Sequence, residues 1–432
     1  MRKHVYKLLA ISLTVLLLMA AGCSSSRSGS DSKGKITITY WQYTFPSKVK
    51  EMNALIQKFE KENPDIKVVA QDFPYEKYNQ KIAAAMNAGK GPDMMNLYYG
   101  WLPQYEKKGY IQPIPEDFMS TKQIDKTFIP MVRSSKIHGH YDGLPTAVRS
   151  LALFWNKGLF EKAGLDPNNP PKTWDELIRD AKKMTKRKAN GQYEQEGFAW
   201  DVEGQGYHTF EEVLLRQWGV TPFSEDGKKV QWNDSPNGLK AFNYWINMTK
   251  KHHIGDQNFL QNYNTAFQAG KAGMMIDGSF DIASVRSAAN FKWGVTTLPV
   301  RKEGGVKSNF GSYWTNSIAK GVSGKKRKAC ERFLKFLISE QTQKEWLNKV
   351  GELPASASLA NDKSMTSDPV YGPFVKGLKD AHATFFVDEE KERTDINDAV
   401  QTILLKHAPI EKTFNQLVKS QQAIRDSYFN NR

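Results

Sequence analysis

Polar and hydrophobic residues follow regular patterns along the first third of the chain. Residues 36–41 alternate with a period of two and are rich in β-branched side chains, which predicts a β-strand. The next apolar residues recur at the spacing of one helix face, until Asn63 and Pro64 end the pattern. The apolar residues of that predicted helix are Val49, Met52, Leu55, Ile56 and Phe59.

The same order of strand and helix then continues. Residues 66–69 predict a second strand, residues 75–88 a helix and residues 93–98 a third strand. Such a series predicts an α/β fold whose sheet is mostly parallel and flanked by helices. Ligands of these sheets bind at the carboxyl ends of the strands. Aromatic residues occupy the predicted strand ends, namely Tyr40, Trp41, Tyr98, Tyr99 and Trp101.

A second group of elements begins near the middle of the chain. Residues 151–156 are almost continuously apolar and predict a buried strand. Thr173 and Glu176 have the spacing of a capping box, and the helix behind them is predicted to run to about Lys188. Because 432 residues exceed what one compact core holds, we expect two lobes.

The first 22 residues have the pattern of an export signal. A cationic start precedes the apolar residues 8–19, which are too few to span a bilayer. Small residues then stand directly before Cys23, an arrangement that resembles the lipobox of bacterial lipoproteins. The resemblance implies that signal peptide 1–22 is removed and that Cys23 carries the lipid, including palmitate. The alternative is an ordinary secretory signal cleaved near residues 20–22, with an incidental cysteine.

Residues 23–34 predict a flexible tether. The stretch after Cys23 is serine-rich and has no apolar side chain to bury. We therefore expect a lipid-anchored protein on the extracellular face of a bacterial cell membrane, in a Gram-positive organism.

Net charge and cysteine content bear on two questions, whether the chain binds nucleic acid and whether it forms a disulfide. The net charge is +15, but the basic residues are scattered and residues 325–328 form the only dense run, so no nucleic-acid partner is expected. Cys330 lies in an apolar helical pattern and has no partner once Cys23 is acylated, so no intramolecular disulfide is expected.

Motifs of enzymes are largely missing from the sequence. It has no nucleophile elbow and no phosphate-binding loop, and its histidine pairs at 138/140 and 252/253 lack further metal ligands at useful spacing. We therefore expect no enzyme, no catalytic residue, no metal site and no cofactor. Carboxylate pairs are abundant, so a surface glycosidase is one alternative and a tethered adhesin is another.

Several segments carry motifs that follow one another in a consistent order, namely residues 91–93, 141–145, 153–165, 171–177, 267–280, 293–299 and 351–354. In this order they resemble the extracellular solute-binding proteins of the maltose-binding type, the sugar receptors of ABC importers. The similarity extends over residues 35–432.

The resemblance implies a two-lobed periplasmic-binding-protein fold of type II, with a sugar clamped between the lobes and delivered to the permease subunits of an ABC importer. It assigns residues 35–148 plus 316–350 to lobe 1 and residues 151–311 plus 356–432 to lobe 2. Three interlobe crossings are then expected, near residues 148–151, 311–316 and 351–356.

A sugar site needs aromatic plates for the apolar faces of the rings and planar polar groups for the hydroxyls. Phe280 matches the family position that usually carries a stacking tryptophan, and Tyr313, Trp314 and Glu352 fall in expected crossings. For each aromatic residue the alternative is packing in the core. The candidate ligand-binding residues, besides Arg149, are Trp41, Tyr43, Tyr99, Trp101, Phe280, Tyr313, Trp314 and Glu352.

Arg149 raises the question of ligand charge. It precedes the apolar strand at a position where the maltose receptor has a carboxylate, and a guanidinium suits carboxylate or phosphate. An acidic sugar is therefore one option. The other is a salt bridge inside the protein, to Asp142 or Glu352.

Overall fold

The computed structural model describes residues 34–360 and 362–430. The strands are β1 Ile36–Tyr43, β2 Ile66–Phe73, β3 Met94–Tyr98, β4 Lys136–Ile137, β5 His140–Tyr141, β6 Leu144–Asn156, β7 Lys186–Arg187, β8 Tyr193–Gln195, β9 Met274–Gly278, β10 Trp293–Thr296, β11 Asn309–Ile318, β12 Leu353–Pro354 and β13 Ala381–His382.

Helices alternate with these strands and cover the sheet. They are α1 Pro46–Glu62, α2 Tyr75–Asn87, α3 Leu102–Lys107, α4 Thr121–Thr127, α5 Lys157–Lys162, α6 Trp174–Met184, α7 Gly206–His208, α8 Leu215–Gln217, α9 Pro236–Lys250, α10 Tyr263–Gln268, α11 Ile282–Ala288, α12 Gly324–Leu337, α13 Glu340–Val350, α14 Ala357–Ala360, α15 Lys363–Thr366, α16 Gly372–Gly377, α17 Glu389–Leu405 and α18 Ile410–Asn430.

The main sheet has the strand order β10-β6-β11-β3-β1-β2, and β9, β12 and β13 attach to β6 and β11. Strand β6 is 13 residues long and almost wholly buried. Its first part, from Leu144 to Ser150, pairs with β11, and its second part, from Leu151 to Trp155, pairs with β9. One strand therefore runs without a break through both halves of the molecule.

The predicted α/β fold is confirmed, but the sheet is mixed rather than mostly parallel. Strand β1 is parallel to β2 and β3, as predicted for the first half. In the second half β9 and β10 are both antiparallel to β6, and β11 is antiparallel to β3 and β6. Strand β13 is parallel to β11, so both orientations occur among the strands that pair with the linking strands β6 and β11.

Local predictions differ from the structure mainly at the ends of elements: β2 runs to Phe73 rather than to residue 69, and β6 begins at Leu144 rather than at residue 151. The capping box is confirmed: the Thr173 hydroxyl accepts the Glu176 amide at 3.2 Å, and the Glu176 carboxylate accepts the Thr173 amide at 3.0 Å. The helix behind it ends at Met184, however, and not near Lys188. Thr185 is extended, and the next two residues pair with β8 as strand β7.

Hydrophobic faces of the helices build the core on both sides of the sheet. Helix α1 buries Met52, Leu55, Ile56 and Phe59, the face that the sequence predicts. Cys330 is fully buried in α12, as expected for its apolar pattern. Within residues 34–360 and 362–430, no helix is both long and apolar enough to cross a membrane. Cys23 and the tether lie outside the described residues.

Candidate functional site

A cavity of about 630 Å³ opens where β1 and β3 end and where β6 changes partners. Both halves of the chain contribute to it. Its aromatic lining consists of Tyr43, Phe45, Tyr75, Tyr98, Tyr207, Phe280, Phe310 and Trp314. Its charged lining consists of Glu76, Arg149, Glu203, Glu389 and Arg393.

Secondary structure fixes the position of these side chains. Tyr43 and Tyr98 are the last residues of the parallel strands β1 and β3, so they meet at one edge of the sheet. Arg149 on β6 lies directly opposite Ser312 on β11. Phe280 follows the end of β9, in the turn that leads to α11.

Stacked rings form one wall of the cavity. The rings of Tyr43 and Trp314 stack with centroids 4.1 Å apart and an interplanar angle of 30°. Tyr75, the first residue of α2, lies 6.2 Å from the Trp314 ring and is 54% exposed. A flat, partly exposed aromatic surface of this kind can pack against the apolar face of a sugar ring.

Arg149 is held on three sides. Its Nε donates to Glu352 Oε1, and its Nη2 donates to the Tyr43 hydroxyl at 2.8 Å. Its guanidinium lies over the Phe280 ring, 4.4 Å from the centroid. This packing orients the guanidinium at the edge of the cavity.

Glu352 forms ion pairs with two cations, Lys48 and Arg149. Lys48 Nζ lies 2.9 Å from Glu352 Oε1, the same oxygen that Arg149 contacts, and Trp346 Nε1 donates to Oε2 at 2.8 Å. Burial alone would raise the pKa of Glu352, but Arg149 and Lys48 lower it to about 2. Burial lowers the pKa of Lys48 to about 7, although Glu352 opposes the shift.

Glu389 organises the other end of the cavity. Its carboxylate accepts from Trp101 Nε1 at 3.2 Å, from the Tyr207 hydroxyl at 3.1 Å and from Arg393 Nε at 2.9 Å. Glu389 thereby joins the corner after β3 to the start of α17. Nearby, the His208 ring stacks on Phe310, and burial holds the pKa of His208 well below its usual value, so this imidazole is neutral.

The structure brings four of the residues predicted from sequence to the lining of this cavity, namely Tyr43, Arg149, Phe280 and Trp314. Trp101 lines a neighbouring cavity of about 750 Å³ on the other side of Glu389. Glu352 is buried behind Arg149 and does not line the cavity.

The other predicted aromatic residues pack within the protein. The Trp41 ring packs on Phe73 at 4.7 Å, and neither lines the cavity. Tyr99 and Tyr313 stack on each other at 4.6 Å in the core. The Tyr313 hydroxyl donates to the carbonyl of Val132 at 3.0 Å.

Most residues that line the cavity were not among the candidates from sequence, among them Tyr75, Tyr98, Tyr207, Glu389 and Arg393. Tyr98 ends a predicted strand, and Tyr75 begins a predicted helix directly after a proline. Glu389 and Arg393 have helical spacing of four residues, but nothing local indicates that this pair faces a distant strand.

Of the two possible ion-pair partners for Arg149, the structure selects Glu352. Asp142 is fully buried, and neither of its carboxylate oxygens forms a hydrogen bond with any residue the structure describes. Burial raises the pKa of Asp142 to about 7. Among the described residues, no cluster of three or more His, Cys, Asp or Glu is placed to hold a metal ion.

Comparison with known proteins gives a consistent result for the fold. A family model described as bacterial extracellular solute-binding protein matches residues 54–373. A solute-binding protein from Thermotoga lettingae, solved with α-D-tagatose, superposes with a TM-score of 0.78 at 24% identity, covering 90% of this chain and 99% of that one. A Listeria monocytogenes protein in complex with cycloalternan gives 0.77 at 23% identity, over 91% and 99%.

Two curated relatives are similar over most of their length. A maltotriose-binding protein of Pyrococcus abyssi is 26% identical over 400 residues, covering 88% of this chain and 80% of that one. The sn-glycerol-3-phosphate-binding periplasmic protein UgpB of Escherichia coli O6:H1 is 27% identical over 397 residues, covering 82% and 87%. The similarity to the solved structures identifies the fold of this chain as the two-lobed α/β architecture.

Proposed function

The chain belongs to the bacterial extracellular solute-binding protein family, and from this premise we propose that it captures a sugar or oligosaccharide in the cavity described above. The observation that carries the proposal is the pairing of aromatic plates with planar polar groups around one cavity. Relatives named for maltotriose and for sn-glycerol-3-phosphate, and structural neighbours solved with tagatose and cycloalternan, bind polyhydroxylated ligands, which supports it.

In this proposal the aromatic rings and the charged groups of the cavity contact different parts of the sugar. The exposed ring of Tyr75 and the half-buried ring of Phe280 pack against the apolar faces of the sugar. Arg149 and Glu389 hold the hydroxyl rim through charge-assisted hydrogen bonds. The volume of about 630 Å³ lies within the usual range of ligand sites.

We also propose how the molecule works in the cell. Lobe 1, formed by residues 35–148 plus 316–350, closes on lobe 2, formed by residues 151–311 plus 356–432, and the closed form delivers the ligand to ABC permease subunits. Cys23 holds the protein at the outer face of the membrane through its lipid. The protein is a receptor and releases its ligand unchanged.

A sugar panel tests the proposal. A ligand that binds only the native state raises the melting temperature, so thermal shift identifies candidates and calorimetry measures their affinity and stoichiometry. We expect one tight site and no product after prolonged incubation. Tight binding by no sugar, neutral or acidic, or turnover of a bound glycan, would overturn the proposal.

The variant Tyr75→Ala is tested for binding of the same sugars. Because the Tyr75 ring is 54% exposed, its loss should weaken sugar binding by roughly tenfold with little loss of stability. Leu405→Ala is the matched control, since Leu405 is 68% exposed and ends α17, about 24 Å along the helix from Glu389.

A further inference from the structure

We propose that the Arg149 end of the cavity is an anion subsite, built by Arg149, Lys48 and the start of α1, which selects sugars that carry a carboxylate or a phosphate group. This inference rests on the proposed function, because it names the class of sugar that the same cavity takes.

Charge balance is the first argument. Lys48 is buried, the side chain of Arg149 is only 13% exposed, and both contact the same oxygen of one carboxylate, Glu352. Below about pH 7 Lys48 is protonated, because its pKa is lowered only to about 7, and this cluster then carries one positive charge in excess. A buried excess charge is poorly screened by solvent, so an anion entering the cavity is attracted to it.

The orientation of Arg149 is the second argument. Glu352 occupies the Nε side of the guanidinium, and Phe280 covers one of its faces. Tyr43 accepts one hydrogen bond from Nη2, while Nη1 bonds no other residue in the described part of the chain. The Nη1 and Nη2 edge therefore retains donors for the two oxygens of a carboxylate or phosphate, and it needs no rearrangement to use them.

The start of α1 adds a third positive element. The helix is 17 residues long, no side chain caps its first turn, and that turn contains no acidic residue. The residues directly before it, Thr44 and Phe45, line the cavity. A helix N-terminus carries a partial positive charge and free amide donors, and Lys48 itself belongs to this first turn.

One buried donor at the same place lacks a partner. Trp314 lines the cavity and is 5% exposed, and its Nε1 forms no hydrogen bond with any described residue. A buried unpaired donor costs free energy, and a ligand oxygen would remove that cost.

Acidic residues of the cavity do not cancel this field. Glu389 is paired with Arg393 at the other end. Glu76 and Glu203 are exposed at the rim, where water and salt screen them. The cavity is therefore polar along its length, with its unbalanced positive charge near Arg149.

The indole N–H signal of Trp314 in an NMR spectrum provides a direct test with two small anions, phosphate and acetate. In protein labelled with ¹⁵N at the tryptophan nitrogen, this signal is identified by its loss in Trp314→Phe. Phosphate and acetate should each shift it saturably. In Arg149→Gln and in Lys48→Met the apparent affinity for phosphate should fall roughly tenfold or more, because the excess charge is removed. Each variant leaves Glu352 with one cationic partner, and melting curves check that it folds.

Arg332→Gln is the matched control, since it removes an equal charge from an exposed ion pair on α12, with Asp65. It should leave the phosphate titration unchanged. No shift of the Trp314 signal with either anion, or equal loss in all three variants, would overturn the anion subsite without touching the proposal that the protein binds sugars.

Matched sugars then define the chemistry of the ligand. Glucose, glucuronate and glucose 6-phosphate are titrated into wild type and Arg149→Gln. We expect the acidic sugars to bind at least roughly tenfold more tightly than glucose, and to lose that advantage in the variant. Whichever of glucuronate and glucose 6-phosphate binds more tightly shows whether the ligand carries a carboxylate or a phosphate group. Binding of glucose as tight as that of both acidic sugars contradicts the inference and leaves the proposed function standing.

Discussion

Asp142 shows how a single residue can carry a cost of burial that its neighbours do not offset. Its side chain is fully buried just before β6, and both carboxylate oxygens lack a hydrogen-bond partner within the described residues. His140 Nε2 is 3.4 Å from one of them. Burial and the negative charge of Glu106 raise the pKa of Asp142 from 3.8 to about 7.

This shift predicts a pH-dependent effect of Asp142→Asn. The folded carboxyl keeps its proton up to about pH 7, whereas the unfolded one releases it near pH 4. The wild type therefore loses stability as the pH rises from about 4 to about 7, and the variant does not have this loss. Urea unfolding should show the stability of the variant rising relative to wild type, by at most about 4 kcal/mol across this interval.

Asp226→Asn is the control for this measurement. Asp226 is exposed in a turn and its pKa is lowered by hydrogen bonds from Ser224 and Lys228. Its substitution should give no such rise between about pH 4 and about pH 7. A constant difference between wild type and Asp142→Asn over the same interval would show that Asp142 is charged throughout.

The sequence identified several residues of the candidate site, but not the direction in which they point. Tyr313 and Trp314 are neighbours on β11, and adjacent side chains of a strand face opposite sides. Trp314 consequently lines the cavity and Tyr313 packs on Tyr99 in the core. Strand pairing decides whether Tyr313 or Trp314 points toward the cavity. The contact of Arg149 with Glu352, 203 positions away, likewise depends on the tertiary fold.

At the scale of elements, the end of β9 positions the ring that supports Arg149. A Cβ atom on Gly278 would lie 2.1 Å from Cε1 of Phe280, so only glycine lets the ring occupy its observed place. The Phe280 ring in turn lies under the guanidinium of Arg149. The end of one strand thus controls both a stacking surface and the main cation of the cavity.

Gly278→Ala should therefore weaken binding of the sugar found by the panel. The Phe280 ring must turn away, which removes its contact with Arg149 and a stacking surface, so we expect roughly a five- to tenfold loss of affinity by calorimetry. Gly158→Ala in α5 is the control, because its Cβ would meet only Asn156, at an ordinary 3.5 Å. Unchanged affinity in Gly278→Ala would show that Phe280 plays no part in binding.

Elements with a strong local pattern were predicted closely, and those that depend on distant partners were not. Helices α1 and α2 and strand β3 lie where hydrophobic spacing indicates. The first half of β6 has no continuous apolar run and forms a strand because it pairs with β11. Strand β7 replaces the end of a predicted helix because its two residues pair with β8. Local sequence does not contain that information.

At the scale of the whole molecule, the proposed attachment to the membrane rests on Cys23, which lies outside the described residues. Two acyl chains anchor a protein stably, at about 0.8 kcal/mol for each buried CH₂ group. We expect Cys23→Ala to release a folded protein that melts like wild type, with its presence in the medium measured by cell fractionation. Cys330→Ala is a poor control because that side chain is buried, so Ser24→Ala serves instead. Retention of Cys23→Ala in the membrane fraction would rule out the lipid anchor.

The proposed receptor works by closing around its ligand. Both halves of the chain contribute to the cavity, and β6 and β11 run from one half to the other, so a hinge motion about these strands would open and close it. Small-angle scattering of the purified protein, with and without the sugar that gives the largest thermal shift, tests this most directly. We predict that the radius of gyration decreases on saturation, because an open form is populated without ligand. An unchanged radius of gyration with a saturating, tightly bound sugar would contradict the clamp.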